Sequence, residues 1–236
     1  MRKFLASLIA LAYLLAATPA PAGFVVNSFN IAAPPAVSAY IGTNATNDVN
    51  VTSITRTAEP IGVAASDRYV VVAVTWRVTA TLNSATIGGA TATIHQQHSA
   101  SNEGSAIISL LVPSGTTATI VLNFSTGVYR VTTHVYNINS LVSNANFDAA
   151  TATGVDPSVN INVDAGGVII AVACWGSATV GTTWTGVTER YDALNNGSEG
   201  TTTGNLDYAA PVTAQQVKAN FVAVTSETSL TAVSFR

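Results

Sequence analysis

Two stretches of the chain, "YVVVAVTW" (69–76) and "GVIIAVACW" (167–175), are apolar at nearly every position. Successive side chains of a strand point to opposite faces, so a strand with one wetted face alternates apolar and polar residues. These two do not alternate, and they predict strands covered on both faces. In a two-layer sandwich the opposite sheet covers the inner face. Nothing after residue 22 reads as an amphipathic helix that could cover the outer one. Either residues 24–57 fold over it or another copy of the chain does. The second choice predicts a homo-oligomer, because a bare apolar sheet is unusual on a soluble monomer.

The two runs also resemble each other. Trp76 and Trp175 stand 99 residues apart, "IGGAT" (87–91) and "WTGVT" (184–188) 97, Pro113 and Pro211 98, and "IVLNF" (120–124) and "VKANF" (217–221) 97. In the last pair Ile120, Leu122 and Phe124 match Val217, Ala219 and Phe221 at alternate positions. A near-constant offset through four landmarks marks an internal repeat. Residues 67–140 and 165–236 read as two diverged copies of one β-unit, with Phe124 and Phe221 at equivalent core positions. The segment 141–164 between them, containing "NANFDAATATGVDP", reads as a linker or long loop.

The rest of the chain agrees with an all-β fold. Short runs of Val, Ile, Thr and aromatics recur between Gly, Asn, Ser and Pro. "VYRVTTHVY" alternates, with Tyr129, Val131, Thr133 and Val135 on one face and Arg130, Thr132, His134 and Tyr136 on the other. The predicted fold is an antiparallel, jelly-roll-like β-sandwich with an internal pseudo-repeat, a single domain over 23–236. Two small domains, one per repeat, are the alternative.

The start of the chain reads as an address. Arg2 and Lys3, an uncharged run from Phe4 to Ala16, then Ala20-Pro21-Ala22 follow the secretory order of basic, apolar and small. Residues 1–22 are therefore expected to be a signal-peptide-like segment, and the protein to be extracytoplasmic or secreted, or on a virion surface. Charged residues make up only 9% of the chain against the usual quarter. The formal net charge is -3. No Lys/Arg cluster exists to neutralise phosphates, which argues against nucleic acid as a partner. The single cysteine, Cys174, cannot form an internal disulfide and sits in an apolar run that keeps a thiol protonated.

Candidate chemistry is sparse. His95-x-x-His98 has zinc-like spacing, but on a regular strand positions i and i+3 face opposite ways. Asn144, Asn146 and Asp148 place oxygens at i, i+2 and i+4, as a calcium loop does, although Ala149 and Val155 replace the expected Gly and Glu. They are the candidate metal ligands, for a possible structural calcium; no other cofactor is expected. Glu189 and Asp192 in "TERYD", with Glu103, are the carboxylates a glycosidase reading would use. Trp184, Tyr191 and Asp192 form the candidate carbohydrate site: flat rings for sugar faces and a carboxylate for hydroxyls. No Gly-x-Ser-x-Gly elbow or phosphate loop is present.

"PSGTTATIVLNFSTGVYRVTTHVYNI", "DAGGVIIAVACW" and "WTGVTERYD" resemble segments of virion-associated proteins of tailed phages and prophages, of the minor-tail, fibre and decoration type. The resemblance covers about 67–236. It implies jelly-roll sandwiches on particle surfaces, often oligomeric and sometimes glycan-binding. The leading expectation is thus a non-enzymatic structural or adhesion protein on a phage-like particle, contacting host glycans or other virion proteins. The alternatives are a secreted bacterial lectin-like or filament-forming protein and, third, a polysaccharide-acting enzyme.

Overall fold

The computed structural model describes residues 34–45, 50–176, 181–195, 197, 199–222 and 228–236. The signal-peptide-like segment lies outside them. Ala33–Arg236 form one compact unit. Its regular elements among the described residues are all strands, and the pairings are antiparallel. The first repeat contains β1 (Val37–Ala45), β2 (Val51–Pro60), β3 (Tyr69–Arg77), β4 (Leu82–Ile87), β5 (Ala90–Thr91), β6 (Thr93–Ala100), β7 (Glu103–Leu111) and β8 (Thr117–Asn139). The second contains β9 (Asn146–Ala152), β10 (Ser158–Val163), β11 (Val168–Trp175), β12 (Thr182–Thr185), β13 (Thr188–Asn195), β14 (Glu199–Asp207), β15 (Val212–Phe221) and β16 (Thr228–Phe235).

The two repeats share one topology. In the second, a five-stranded sheet runs β13-β14-β11-β16-β9 and a three-stranded sheet runs β10-β15-β12. In the first, one eight-stranded sheet follows β5-β4-β8-β3-β7-β6, with β1 and β2 also pairing β8. The long strand β8 makes this sheet continuous. Its first part pairs β2 and β4, as β15 pairs β10 and β12. Its second part pairs β1 and β3, as β16 pairs β9 and β11. Even a local irregularity is repeated. The β6–β7 ladder slips between Ile94 and Gln96, and the β13–β14 ladder slips between Glu189 and Tyr191.

The repeat is wider than the sequence suggested. It begins at β1 and at β9, so the expected linker 141–164 holds two strands of the second copy. "NFDAATA" offers Ala, Thr and Asp instead of a β-branched aliphatic run, because β9 is an edge strand, half-buried along most of its length. Strand propensity reflects packing more than backbone preference, so such an edge is quiet in sequence.

Each repeat has its own core. Val70, Val72, Val74 and Trp76 point into the first, with Leu122 and Phe124. Ile169, Ala171, Ala173 and Trp175 point into the second, with Val217 and Phe221. One triad recurs. Trp76 stands 5.2 Å from Phe124 and Trp175 4.8 Å from Phe221, centroid to centroid. Gly104 and Gly200 lie against the faces of the two indoles, where a Cβ would come within 2.1 Å and 1.8 Å of the ring. The predicted equivalence of Phe124 and Phe221 is therefore seen in their contacts.

The other faces of β3 and β11 meet each other. Val71, Ala73, Ile107, Tyr136 and Ile138 of the first repeat pack with Val168, Ile170, Val172, Val233 and Phe235 of the second in a third apolar cluster. The two five-stranded faces are packed back to back, with the smaller layers outermost. The cover of the seam faces of the two all-apolar strands is the other repeat's sheet, and from 24–57 Ala36 and Tyr40 join that cluster while Ile54 joins the first core. Burial on both faces of a strand is what removes alternation.

Candidate functional site: the polar seam between the repeats

The surface between the five-stranded sheets is only partly apolar. On β7, residues 103, 105, 107 and 109 face the second repeat; on β14, residues 199, 201, 203 and 205 face the first. Counting from the triads, Glu103 matches Glu199, Ser105 matches Thr201 and His134 matches Thr231. The contacts then follow an approximate twofold, in which residue i meets j and the equivalent of i meets the equivalent of j. Ser105 Oγ lies 2.7 Å from Thr231 Oγ1, and its counterpart Thr201 Oγ1 lies 2.9 Å from His134 Nε2. Ser105 Oγ is also 2.7 Å from Ser229 Oγ, and Thr75 Oγ1 is 3.0 Å from Thr201 Oγ1. Tyr136 Oη sits 2.8 Å from Thr203 Oγ1, and Asn195 Nδ2 donates to Thr132 Oγ1 at 3.1 Å.

Several buried ionisable or nucleophilic side chains lie here. Glu103 and His134 are fully buried, and Glu199 nearly so. The Cys174 thiol bonds across the seam to the Gly104 carbonyl at 3.3 Å. Burial, reinforced by Glu103 and then Glu199, pushes that thiol well above its ordinary value. A thiol in this state is a poor nucleophile. His134 Nδ1 lies 2.7 Å from Thr43 Oγ1, and the imidazole packs on the Tyr191 ring at 5.3 Å. Burial pulls His134 down to about 3. His98 Nδ1 lies 3.1 Å from Ser229 Oγ of the other repeat.

His95 and His98 share the seam face, contrary to the strict i, i+3 reading. The bulge between Ile94 and Gln96 adds one residue and turns His95 over. The two rings still do not converge on a point. His95 Nε2 lies 2.7 Å from Ser109 Oγ, and its ring stands edge-on to Phe235 at 4.9 Å. Among the described residues, no group of three His, Cys, Asp or Glu side chains is placed to hold a metal ion.

The candidate carbohydrate residues do not share a face. Trp184 points inward from β12 against the second core, and its Nε1 donates to Thr202 Oγ1 at 2.8 Å. Tyr191 lies on the opposite side of β13, in the seam against His134. Asp192 Oδ2 accepts from the backbone N–H of Thr182 at 2.7 Å and of Gly181 at 3.2 Å. It ties the β13 edge to β12, closing the corner between two sheets. Gln97 does the same in the first repeat, where its Oε1 accepts from Leu82 N at 2.8 Å and its Nε2 donates to Leu82 O at 3.2 Å. Such ties blunt sheet edges that would otherwise offer unpaired backbone groups.

The candidate calcium oxygens are also engaged or apart. Asp148 Oδ2 accepts from Asn162 N at 2.7 Å and Oδ1 from Ala149 N at 2.8 Å, tying β9 to β10. Asn146 bonds His95, and Asn144 is exposed in the turn before β9. A cleft of about 270 Å³ opens beside this turn, lined by Val142, Ala145, Phe147 and the Asp164–Arg236 pair. Glu189 stays exposed; partial burial and then the Asp192 carboxylate raise its carboxyl from the ordinary value. Glu103, its suggested loop partner, lies in the seam of the other repeat.

Sequence reasoning missed the seam because its members are Ser and Thr spread over six strands. One signal was available: "EG" at 103–104 and again at 199–200, each followed by a stretch rich in small residues. No family model, curated protein or solved structure matches the chain.

Proposed function

We propose that the chain is a non-enzymatic structural and adhesion module, carried on the surface or an appendage of a phage-like particle and touching host glycans through neutral outer faces. The observation that carries the reading is where the reactive groups stand. His134, Cys174, Glu103 and Glu199 are buried between the repeats, where no polymer can reach them. Asp192 and Asp148 are engaged as corner ties.

The outer face of β2, β8 and β4 supports the adhesive part. Ser53 Oγ donates to Asn123 Oδ1 at 2.8 Å, and Asn123 Nδ2 donates to Ser84 Oγ at 3.0 Å. Thr55, Val121 and Thr86 form the next row on the same face. A neutral hydroxyl surface suits an uncharged polyhydroxylated partner and repels no lipopolysaccharide or capsule by charge.

Sedimentation of the producing culture through a density gradient tests the proposal. The protein should band with particles and bind a neutral glycan array. Recovery only as free protein in the supernatant would favour the secreted reading, which the basic-apolar-small start of the chain supports. Turnover of a polysaccharide that is abolished by Glu189→Gln would replace both with an enzyme.

A further inference from the structure

We propose that the cleft beside β9 holds one pyranose ring of a neutral glycan, stacked on Phe147 and hydrogen-bonded by the Asp164–Arg236 pair. The proposal rests on the adhesive reading above and gives it a pocket. The cleft, of about 270 Å³, is walled by Val142, Ala145 and Phe147, with the ion pair beside them. That is just below the usual range of ligand pockets, about 300–1,000 Å³, and suits a single ring better than a longer chain.

Phe147 is the one exposed aromatic ring among the described residues, at 51%. A bulge puts it there. The β9–β16 ladder slips between Ser234 and Phe235: Asp148 pairs Ser234, Asn146 pairs Phe235, and Phe147 is the extra residue. The first repeat has no such residue. There Ala39 pairs Asn137 and Ser38 pairs Ile138 in unbroken register, at the positions that match Asp148 and Asn146. The fold is thus built once without this ring, and packing does not require it. Bulges on edge strands re-aim side chains next to functional sites. The ring is held from both sides: Asn146 bonds His95, and Asp148 Oδ2 accepts from Asn162 N at 2.7 Å.

The polar side of the cleft is pre-set too. Arg236 Nη1 donates to Asp164 Oδ2 at 2.9 Å and to the Ala165 carbonyl at 2.6 Å. Asp164 Oδ1 accepts from Ala165 N at 2.8 Å. Each carboxylate oxygen keeps a second lone pair, and the Nε and Nη2 donors of Arg236 have no partner among the described residues. Both side chains are part-exposed, Arg236 at 29% and Asp164 at 40%. Ser143 N donates to Arg236 O at 2.9 Å, which fixes the Val142 wall to the pair. The pair offers donors and acceptors but no net charge. It matches neighbouring hydroxyls, and an uncharged ring suits it better than a phosphate or an ammonium. The Phe147 ring takes the C–H face of that sugar.

Saturation-transfer difference NMR of the full-length protein tests the cleft. The probes are the methyl glycosides of glucose, galactose, mannose and N-acetylglucosamine at millimolar concentration, with N-acetylphenylalaninamide as the apolar alternative. At least one glycoside should receive saturation, most strongly on its ring C–H protons. Phe147→Ala should weaken that binding about tenfold, the scale of one aromatic contact. Its thermal melt should be unchanged, because the ring lies outside the cores. Phe147→Trp should keep the binding or strengthen it. Saturation of no glycoside, or equal saturation in the wild type and Phe147→Ala, would overturn the cleft. So would saturation of N-acetylphenylalaninamide alone, which would make it a peptide pocket. Loss in Asn123→Ala but not in Phe147→Ala would move the sugar to the outer face of β8, overturning the cleft and keeping the adhesive reading. A glycoside bound at Phe147 in a protein that does not band with particles would keep the cleft and remove the particle reading.

Discussion

The two repeats solve one packing problem with opposite choices. In the first, Ala85 on β4 pairs Leu122 on β8; in the second, Trp184 on β12 pairs Ala219 on β15. These are equivalent cross-strand pairs, and the bulk has moved from one strand to the other. The corner ties diverge similarly: Gln97 uses a donor and an acceptor on Leu82, whereas Asp192 uses acceptors alone on Gly181 and Thr182. The Trp–Gly–Phe triad, the bulge and the strand order have not diverged. Each copy keeps one large and one small residue in this pair and two hydrogen bonds in its corner tie, while the residues that supply them differ. Cores tolerate volume-conserving exchange far better than a net change.

The comparison is broken most severely at the triads. Phe124→Ala and Phe221→Ala should each cost about 3–5 kcal/mol, the range for removing a buried Phe. Chemical denaturation should give the two losses within about 1 kcal/mol of each other if the sites are equivalent. A loss below about 1 kcal/mol at either site would mean that its ring does not pack as its counterpart does. Trp184→Ala tests the exchanged pair and should cost about 3 kcal/mol. Adding Ala219→Leu rebuilds the first repeat's arrangement inside the second, and should recover most of that loss. No recovery in the double variant would show that the two pairs are not interchangeable.

Gly104→Ala and Gly200→Ala push a methyl into an indole face. Each should cost about 1–3 kcal/mol, the usual range for overpacking, with near-ultraviolet dichroism changing at the displaced Trp. The smallest effects belong to the corners. Asp192→Asn keeps one acceptor oxygen and should cost about 0.5–1.5 kcal/mol, a net hydrogen bond. Gln97→Ala loses both ends of its tie and should cost slightly more. Thermal melts of the two variants rank them, and the reverse order would mean that the negative charge of Asp192 matters more than its geometry.

Much of the fold was legible because the repeat wrote the same periodicities twice. "YVVVAVTW" and "GVIIAVACW" announced strands covered on both faces, and Phe124 and Phe221 fell on matching positions. The identity of the cover was not legible. A repeat packed on its own copy leaves in sequence only missing alternation, which an oligomer would leave as well. β9 escaped notice because Ala and Thr suffice at a half-buried edge. The candidate sites were less legible still. Trp184, Tyr191 and Asp192 lie close in sequence, but strand alternation sends Tyr191 to the seam and leaves Trp184 and Asp192 to the second sandwich. His95 and His98 came to one face through a bulge that no local residue type marks. The hydroxyls of the seam are spread from Thr43 to Thr231 and converge only when two five-stranded sheets meet.

The central claim is that β3 and β11 are equivalent strands, each hydrogen-bonded on both edges and packed on both faces, one against the other. Amide hydrogen exchange of the native protein at pH 7.5, followed by mass spectrometry, tests it directly. Residues 69–77 and 168–175 should be the slowest-exchanging segments and should exchange at rates within about tenfold of each other, since both open only when their sandwich unfolds. Fast exchange in either segment while the other stays protected would contradict back-to-back packing of two equivalent repeats.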